Sequence, residues 1–136
     1  MKKLLRPVLL HCVLPLLAGW LIYFILRPDV LAVRSFVQRN PLVDLHTAGW
    51  PLRLLAYSGP DFCWAWSLTA ALFLWHSGRN NKIPGWPWIV FTLVAGSEIL
   101  QLLIRSGFYF DFADLAATIL AFVLSGLLTT ASHEKN

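Results

Sequence analysis

The run from Trp86 to Ile104, WPWIVFTLVAGSEILQLLI, is apolar along nearly its whole length and holds one carboxylate, Glu98. As a helix these roughly 19 residues extend about 28 Å, close to the thickness of a bilayer's hydrocarbon core. An acid inside such a segment costs about 2.5–3.5 kcal/mol on insertion scales, so it calls for a partner, a proton or water in a cavity. Gln101 and Arg105 follow at spacings of three and seven, which puts all three residues on one helical stripe. Asp111, Asp114 and Thr118 repeat those spacings where the next apolar segment opens. Two such stripes facing each other in lipid predict a site.

Composition narrows the class. With 57% hydrophobic and 13% charged residues and a mean hydropathy of +0.63, the 136 residues predict one integral membrane domain, all-α throughout. The net charge of +4 comes from Lys and Arg scattered among apolar runs. No basic stripe interleaved with aromatics is present, which excludes nucleic acid as a partner. Contact with anionic lipid headgroups accounts for the charge more simply. Cys12 and Cys63 lie in different apolar runs without CxxC or His/Cys spacing, so they read as small buried hydrophobes, and no metal or cofactor is expected.

Four membrane-crossing helices are expected, at about 8–26, 61–77, 86–105 and 111–130, forming a bundle. The basic start Lys2, Lys3 and Arg6 also fits a signal peptide, but the apolar core continues through Trp20 to Tyr23 without a small-residue cleavage site. A retained helix bent at Pro15 is therefore predicted, with His11 hydrogen-bonded to a neighbouring helix rather than ligating. Residues 27–60 form an extracytoplasmic loop with short interfacial helices, one from Pro28-Asp29 and one after Trp50-Pro51. Trp20, Trp50, Trp86 and Trp88 are expected at the membrane interface, while Trp64 and Trp66 pack in the core. The turn formers of GRNNKIPGW, residues 78–86, make a tight loop. Ala117, Ala121 and Ser125 make a small-residue stripe suited to close helix packing.

Lys2, Lys3, Arg6, Arg79, Lys82 and Lys135 fall on one side of this topology, concentrated in short segments, which places both termini in the cytoplasm. Asp61, Asp111 and Asp114 then start their helices at the outer face, and Glu98 lies about nine residues inward of Gly107, roughly 13 Å deep. Together they predict a polar funnel open to the extracytoplasmic side.

The order Glu98-Ile99-Leu100-Gln101, Arg105, Asp111-Phe112-Ala113-Asp114 and Thr118 resembles the signature of the VanZ-like family of small polytopic bacterial membrane proteins. That pattern pairs Glu-x-x-Gln on one helix with a basic residue in the turn and an Asp opening the next helix. Asp61 matches the acid that begins the family's earlier motif, and the resemblance covers about residues 60–128. Thr118 stands where the family usually has Asn and Ala121 where Gly is frequent; the Lys and His that commonly follow the first Asp are replaced by Phe62 to Ala65. The resemblance implies residence in the bacterial inner membrane and a link to glycopeptide resistance, with no settled activity.

Each motif also has a plainer reading. Glu98 with Gln101 can be an interhelical clamp, although such bonds average only about 0.6 kcal/mol in membranes. Arg105 with Asp111 or Asp114 can be a rim salt bridge, and Asp61 after Gly59-Pro60 can be a helix cap. The leading functional expectation is a noncatalytic binding or accessory protein. Its ligand-binding residues are Glu98, Gln101, Arg105, Asp111, Asp114, Thr118 and Asp61, engaging a lipid headgroup, a peptidoglycan precursor or a lipoglycopeptide. The first alternative is an intramembrane hydrolase or phosphatase on a lipid-linked substrate, with Glu98 as general base, Asp114 as second carboxylate and Arg105 stabilising negative charge. No HExxH or GxSxG motif supports it. The second is a structural subunit of a membrane complex or homo-oligomer.

Overall fold

Proline positions decide how the first two helices are built. In the computed structural model, which describes residues 2–26, 45, 47–77, 83–103 and 112–134, every regular element is helical. Within those ranges the side chains of 2–4, 97–99, 101–103 and 130–134 are outside the description. Helix α1 is continuous: α-helical Lys2–Val8, π-helical Leu9–Val13, then α-helical Leu14–Leu26. Pro15 has no N–H to donate back to the previous turn and its ring crowds the carbonyl four residues earlier. The chain accommodates it by widening the preceding turn, with the Leu14 N–H donating to the Leu9 carbonyl. The predicted disturbance at Pro15 thus takes the form of a π stretch just before it.

Helix α2, Trp50–Ser77, is 28 residues long and carries Pro60 in its interior. The sequence reading ended an interfacial helix before Pro60 and began a span near 61; the structure joins the two. Asp61 is therefore an interior residue of α2 and not its cap. The N-terminal start is instead set by Gly49, whose carbonyl accepts from the Leu52 and Arg53 N–H groups, both at 3.2 Å. The Pro60 ring costs α2 one backbone bond. Burial of Ala56, Ser58 and Pro60 against neighbouring helices offsets the loss. At about 42 Å, α2 exceeds the apolar thickness of a bilayer.

Helix α3 is Trp86–Leu103 and α4 is Phe112–Glu134. Gly85, at φ 74°, turns the chain into α3, and its carbonyl accepts from Trp88 at 2.9 Å and Ile89 at 3.2 Å. A side chain at that φ would be strained, which is why glycine follows Pro84 here. Leu5–Leu26 and Phe112–Thr129 are each long and apolar enough to cross a membrane, and Trp86–Gly96 is a shorter apolar helix.

Helix α2 is the hub. It packs most extensively on α4 and next on α1, while α3 sits more lightly against α4 and α2. Ala65, Val90, Val94, Ala121 and Trp86 form the buried apolar cluster. Phe122 holds the edges of Phe73 and Phe91, at ring-centre distances of 6.3 and 5.3 Å, so α2, α3 and α4 meet at one aromatic junction. Trp20, Trp50 and Trp88 are exposed as expected, but Trp86 is buried against Trp75 and His76 at the end of α2. Of the core pair expected at 64 and 66, Trp66 packs inward and Trp64 faces outward.

Where α1 crosses α2, Gly19 is buried so closely that an added Cβ would lie 2.9 Å from the Cys63 Cβ and 3.4 Å from the Pro60 carbonyl oxygen. Neither atom is the end of a flexible side chain, so the helices themselves would have to part. Gly19→Ala is expected to destabilise the protein by about 1–3 kcal/mol. Gly126→Ala, which would meet only the Phe73 ring at 3.6 Å, should be neutral or stabilising by up to about 1 kcal/mol. Thermal unfolding of both variants in one detergent checks the contrast.

Candidate functional site

The face that α4 turns toward α2 carries hydroxyls as well as small residues. Thr118, Ala121, Ser125 and Thr129 are all fully or nearly fully buried, at spacings of three or four that keep them on one side. The predicted stripe of Ala117, Ala121 and Ser125 does permit a close approach, and Ser125 also reaches across it: its Oγ donates to the Trp66 carbonyl at 3.0 Å. Ser67 does the same toward α1, donating to the Cys12 carbonyl at 2.7 Å inside the π stretch. These two bonds clamp α4 and α1 to opposite sides of α2.

Other buried polar atoms have no such partner: Ser58 Oγ, Thr69 Oγ1, Thr118 Oγ1, Thr129 Oγ1 and Asp114 Oδ1. A threonine in a helix ordinarily turns its hydroxyl to the carbonyl one turn back, as Thr92 does toward Trp88 at 2.8 Å. Thr69, Thr118 and Thr129 make no such bond although they are buried. An unpaired buried hydroxyl carries a desolvation cost of about 1–3 kcal/mol. The α2–α4 seam therefore holds hydrogen-bonding capacity that packing alone does not use. Sequence reading singled out Thr118 but missed Ser58 and Thr69; their spacing of eleven, three helical turns, was the available signal.

The helix register sets the depth of the acids. Phe91 lies against Phe122 and Trp86 against His76, so α3 runs antiparallel to α2 and α4, which are parallel to one another. Seven residues beyond Phe91, the backbone of Glu98 comes level with Leu115. Asp61, five residues before Trp66, comes level with Leu120. With Asp114 and Thr118 these positions occupy a layer about 9 Å deep. Asp114 is in the first turn of α4, where the helix dipole favours a carboxylate. The Glu98 and Gln101 side chains, and Arg105 and Asp111 entirely, lie outside the described residues. The expected facing of the polar stripes on the third and fourth helices therefore lies outside the described residues; among those described, the buried hydroxyl face of α4 meets α2.

Beside this layer runs a groove of about 670 Å³ between α1, α2 and α4, walled by Ile22, Leu55, Phe62, Ala117 and Leu120 and including Ser58 and Gly59. At the opposite end of α2, His76 stacks on Trp86 at 4.9 Å, with His76 Nδ1 and Trp86 Nε1 both buried and unpartnered; this pair was not anticipated. His11, expected to hydrogen-bond to a neighbouring helix, has its ring 6.4 Å from that of Trp66, nearly parallel to it. Among the described residues no three His, Cys, Asp or Glu side chains come together as a metal site. The chain matches no protein-family model, no curated protein and no solved structure.

The two kinds of buried hydroxyl should separate on mutation. Ser125→Ala removes a made bond and should cost about 0.6 kcal/mol in a lipid-like medium. Thr118→Val removes an unmade one at nearly constant shape and should be neutral or stabilising. Chemical or thermal unfolding of both variants in lipid nanodiscs measures the difference.

Proposed function

We propose that this chain is a four-span bundle of the bacterial inner membrane, with both termini cytoplasmic. In this reading it is a noncatalytic binding or accessory protein for an amphiphilic cell-envelope ligand, of the VanZ-like kind its motif residues resemble. Burial supports the membrane setting. Leu9, Leu10, Leu14, Leu16, Leu17, Trp20 and Leu21 on α1, and Ile119, Leu120, Val123, Leu124, Leu127 and Leu128 on α4, face outward. Among the described residues the buried polar ones, by contrast, are all serine or threonine. Water would penalise so large an exposed apolar surface, whereas acyl chains solvate it and leave small and hydroxyl-bearing residues to join the helices.

The observation that carries the ligand reading is the adjacency of two unlike surfaces. A layer holding Asp61, Asp114, Thr118 and the backbone level of Glu98 lies directly beside a groove lined almost wholly by apolar atoms. An amphiphile needs this pairing, whereas a simple ion has no use for the groove. Glu98, Gln101, Arg105 and Asp111 complete the polar side in this proposal. The acids receive amine or hydroxyl groups of a headgroup, and Arg105 grips a phosphate or carboxylate through two parallel bonds.

The test is retention of phosphatidylglycerol by protein released from phosphatidylglycerol nanodiscs, read by native mass spectrometry. Asp114→Asn and Glu98→Gln should each weaken retention, and Arg105→Lys should weaken it about tenfold through loss of a charge-assisted bond. Unchanged retention after joint neutral replacement of Glu98, Arg105 and Asp114 would reject the site in favour of a scaffold. Release of a cleaved product by the wild type, abolished by Glu98→Gln, would favour the hydrolase.

A further inference from the structure

We propose that the groove between α1, α2 and α4 holds one ester-linked acyl chain, with the Ser58 hydroxyl donating to its ester carbonyl. This rests on the amphiphile reading above and names the class of its apolar part.

Ser58 is the reason for choosing an ester. It belongs to the groove wall, is only 4% exposed, and its hydroxyl has no partner. The rest of the wall consists of hydrocarbon: Leu54, Leu55, Phe62, Ala113, Ala117 and Leu120 dominate it. The Ser58 Oγ is turned away from the opening, but a serine hydroxyl swings between staggered rotamers at little cost, so a carbonyl lying in the groove can accept its hydrogen bond. A polyprenyl chain has no acceptor to offer at that depth. An acyl ester has one, located between headgroup and hydrocarbon.

Ser58 occupies that boundary. The groove follows α2 from Pro51 to Cys63, about 18 Å, with Ser58 near its middle. By the register of Trp66 with Ser125, Ser58 comes level with Ala117, within one turn of Asp114 and Thr118. A headgroup at Asp114 thus brings the first carbonyl of its chain to Ser58, one turn further in, and the chain continues past Phe62 and Leu120. The small side chains of Ala113, Ala116, Ala117 and Gly59 leave the space. Gly59 is itself in close contact, since an added Cβ would lie 3.3 Å from Ile22 Cδ1 and 3.2 Å from Leu55 Cδ1.

Full-length protein in nanodiscs is photolysed with a phosphatidylglycerol carrying a diazirine in its acyl chain, and adducts are mapped by peptide mass spectrometry. Adducts should concentrate on 54–62 and 113–120 and be displaced by diacyl lipid about fivefold better than by its dialkyl-ether analogue, the margin of one hydrogen bond. Ser58→Ala should erase that preference while leaving labelling in place. Ala116→Trp, at an exposed position beside the groove, should remove the labelling without burdening the core. Adducts spread evenly over the outward leucines and indifferent to Ala116→Trp would overturn the proposal, as would cross-links joining two copies through this face. Equal competition by ester and ether lipids in the wild type would overturn the Ser58 assignment. Loss of phosphatidylglycerol retention in Asp114→Asn alongside such negative results would refute the acyl slot alone; intact retention in the triple neutral variant would refute the underlying site.

Discussion

The close approach of α2 and α4 sets the position of nearly everything else. It depends on small side chains, with Ala65, Ala70, Ala121, Ser125 and Gly126 all buried. One directed bond, from Ser125 Oγ to the Trp66 carbonyl, pins it. Between apolar helices in lipid there is little hydrophobic gain, so contact area and hydrogen bonds must decide the register. A slip of one turn along this seam would break the Ser125 bond and move Phe122 away from Phe73 and Phe91. The aromatic junction and the hydroxyl clamp therefore select the same alignment. That alignment brings Asp61, Asp114 and Thr118 to similar depth.

Helix α1 is attached by the same logic in a less regular way. Pro15 forces a π turn, and the Cys12 carbonyl within that turn receives the Ser67 hydroxyl at 2.7 Å. Two turns further, Gly19 meets the backbone of Pro60 and the Cβ of Cys63. Each helix thus places a proline-distorted segment against its neighbour, where a hydroxyl or a missing side chain accommodates it. The groove opens because α1 is held this tightly at Gly19, while Ile22, one turn on, faces Gly59 and the alanines of α4.

Much of this was legible in the sequence. Apolar run length located the end of α1 and the starts of α3 and α4 to within a residue, since Leu26, Trp86 and Phe112 border turn formers or charged residues. The stripe of Ala117, Ala121 and Ser125 announced a packing face because residue size and helical period are both local properties. The continuity of α2 through Pro60 was not legible: a proline preceded by glycine reads as a break, and only burial against α1 shows why the helix persists. Trp86 misled for a similar reason. An aromatic at a predicted membrane boundary reads as an anchor, yet its position is taken by a stack with His76 ten residues upstream. Spacing put Asp114 and Thr118 on one stripe, but nothing in the spacing could say that the hydroxyl face of α4 would also meet α2.

The contrast between satisfied and unsatisfied hydroxyls bears on whether the polar layer is a clamp or a site. A clamp shows its partner, as Ser67 and Ser125 do. Selection for helix adhesion alone would favour alanine at Thr118 and Thr69, which packs as closely and leaves no buried donor to satisfy. Thr118, Asp114 Oδ1 and Ser58 Oγ lie unpaired near one level of the α2–α4 seam, while Thr69 and Thr129 are unpaired about three turns further along it. Adhesion alone does not explain hydroxyls left unpaired along the seam. The buried hydroxyls among the described residues thus divide into two sets, those at 67 and 125 bonded across a helix contact and those at 58, 69, 118 and 129 unpaired.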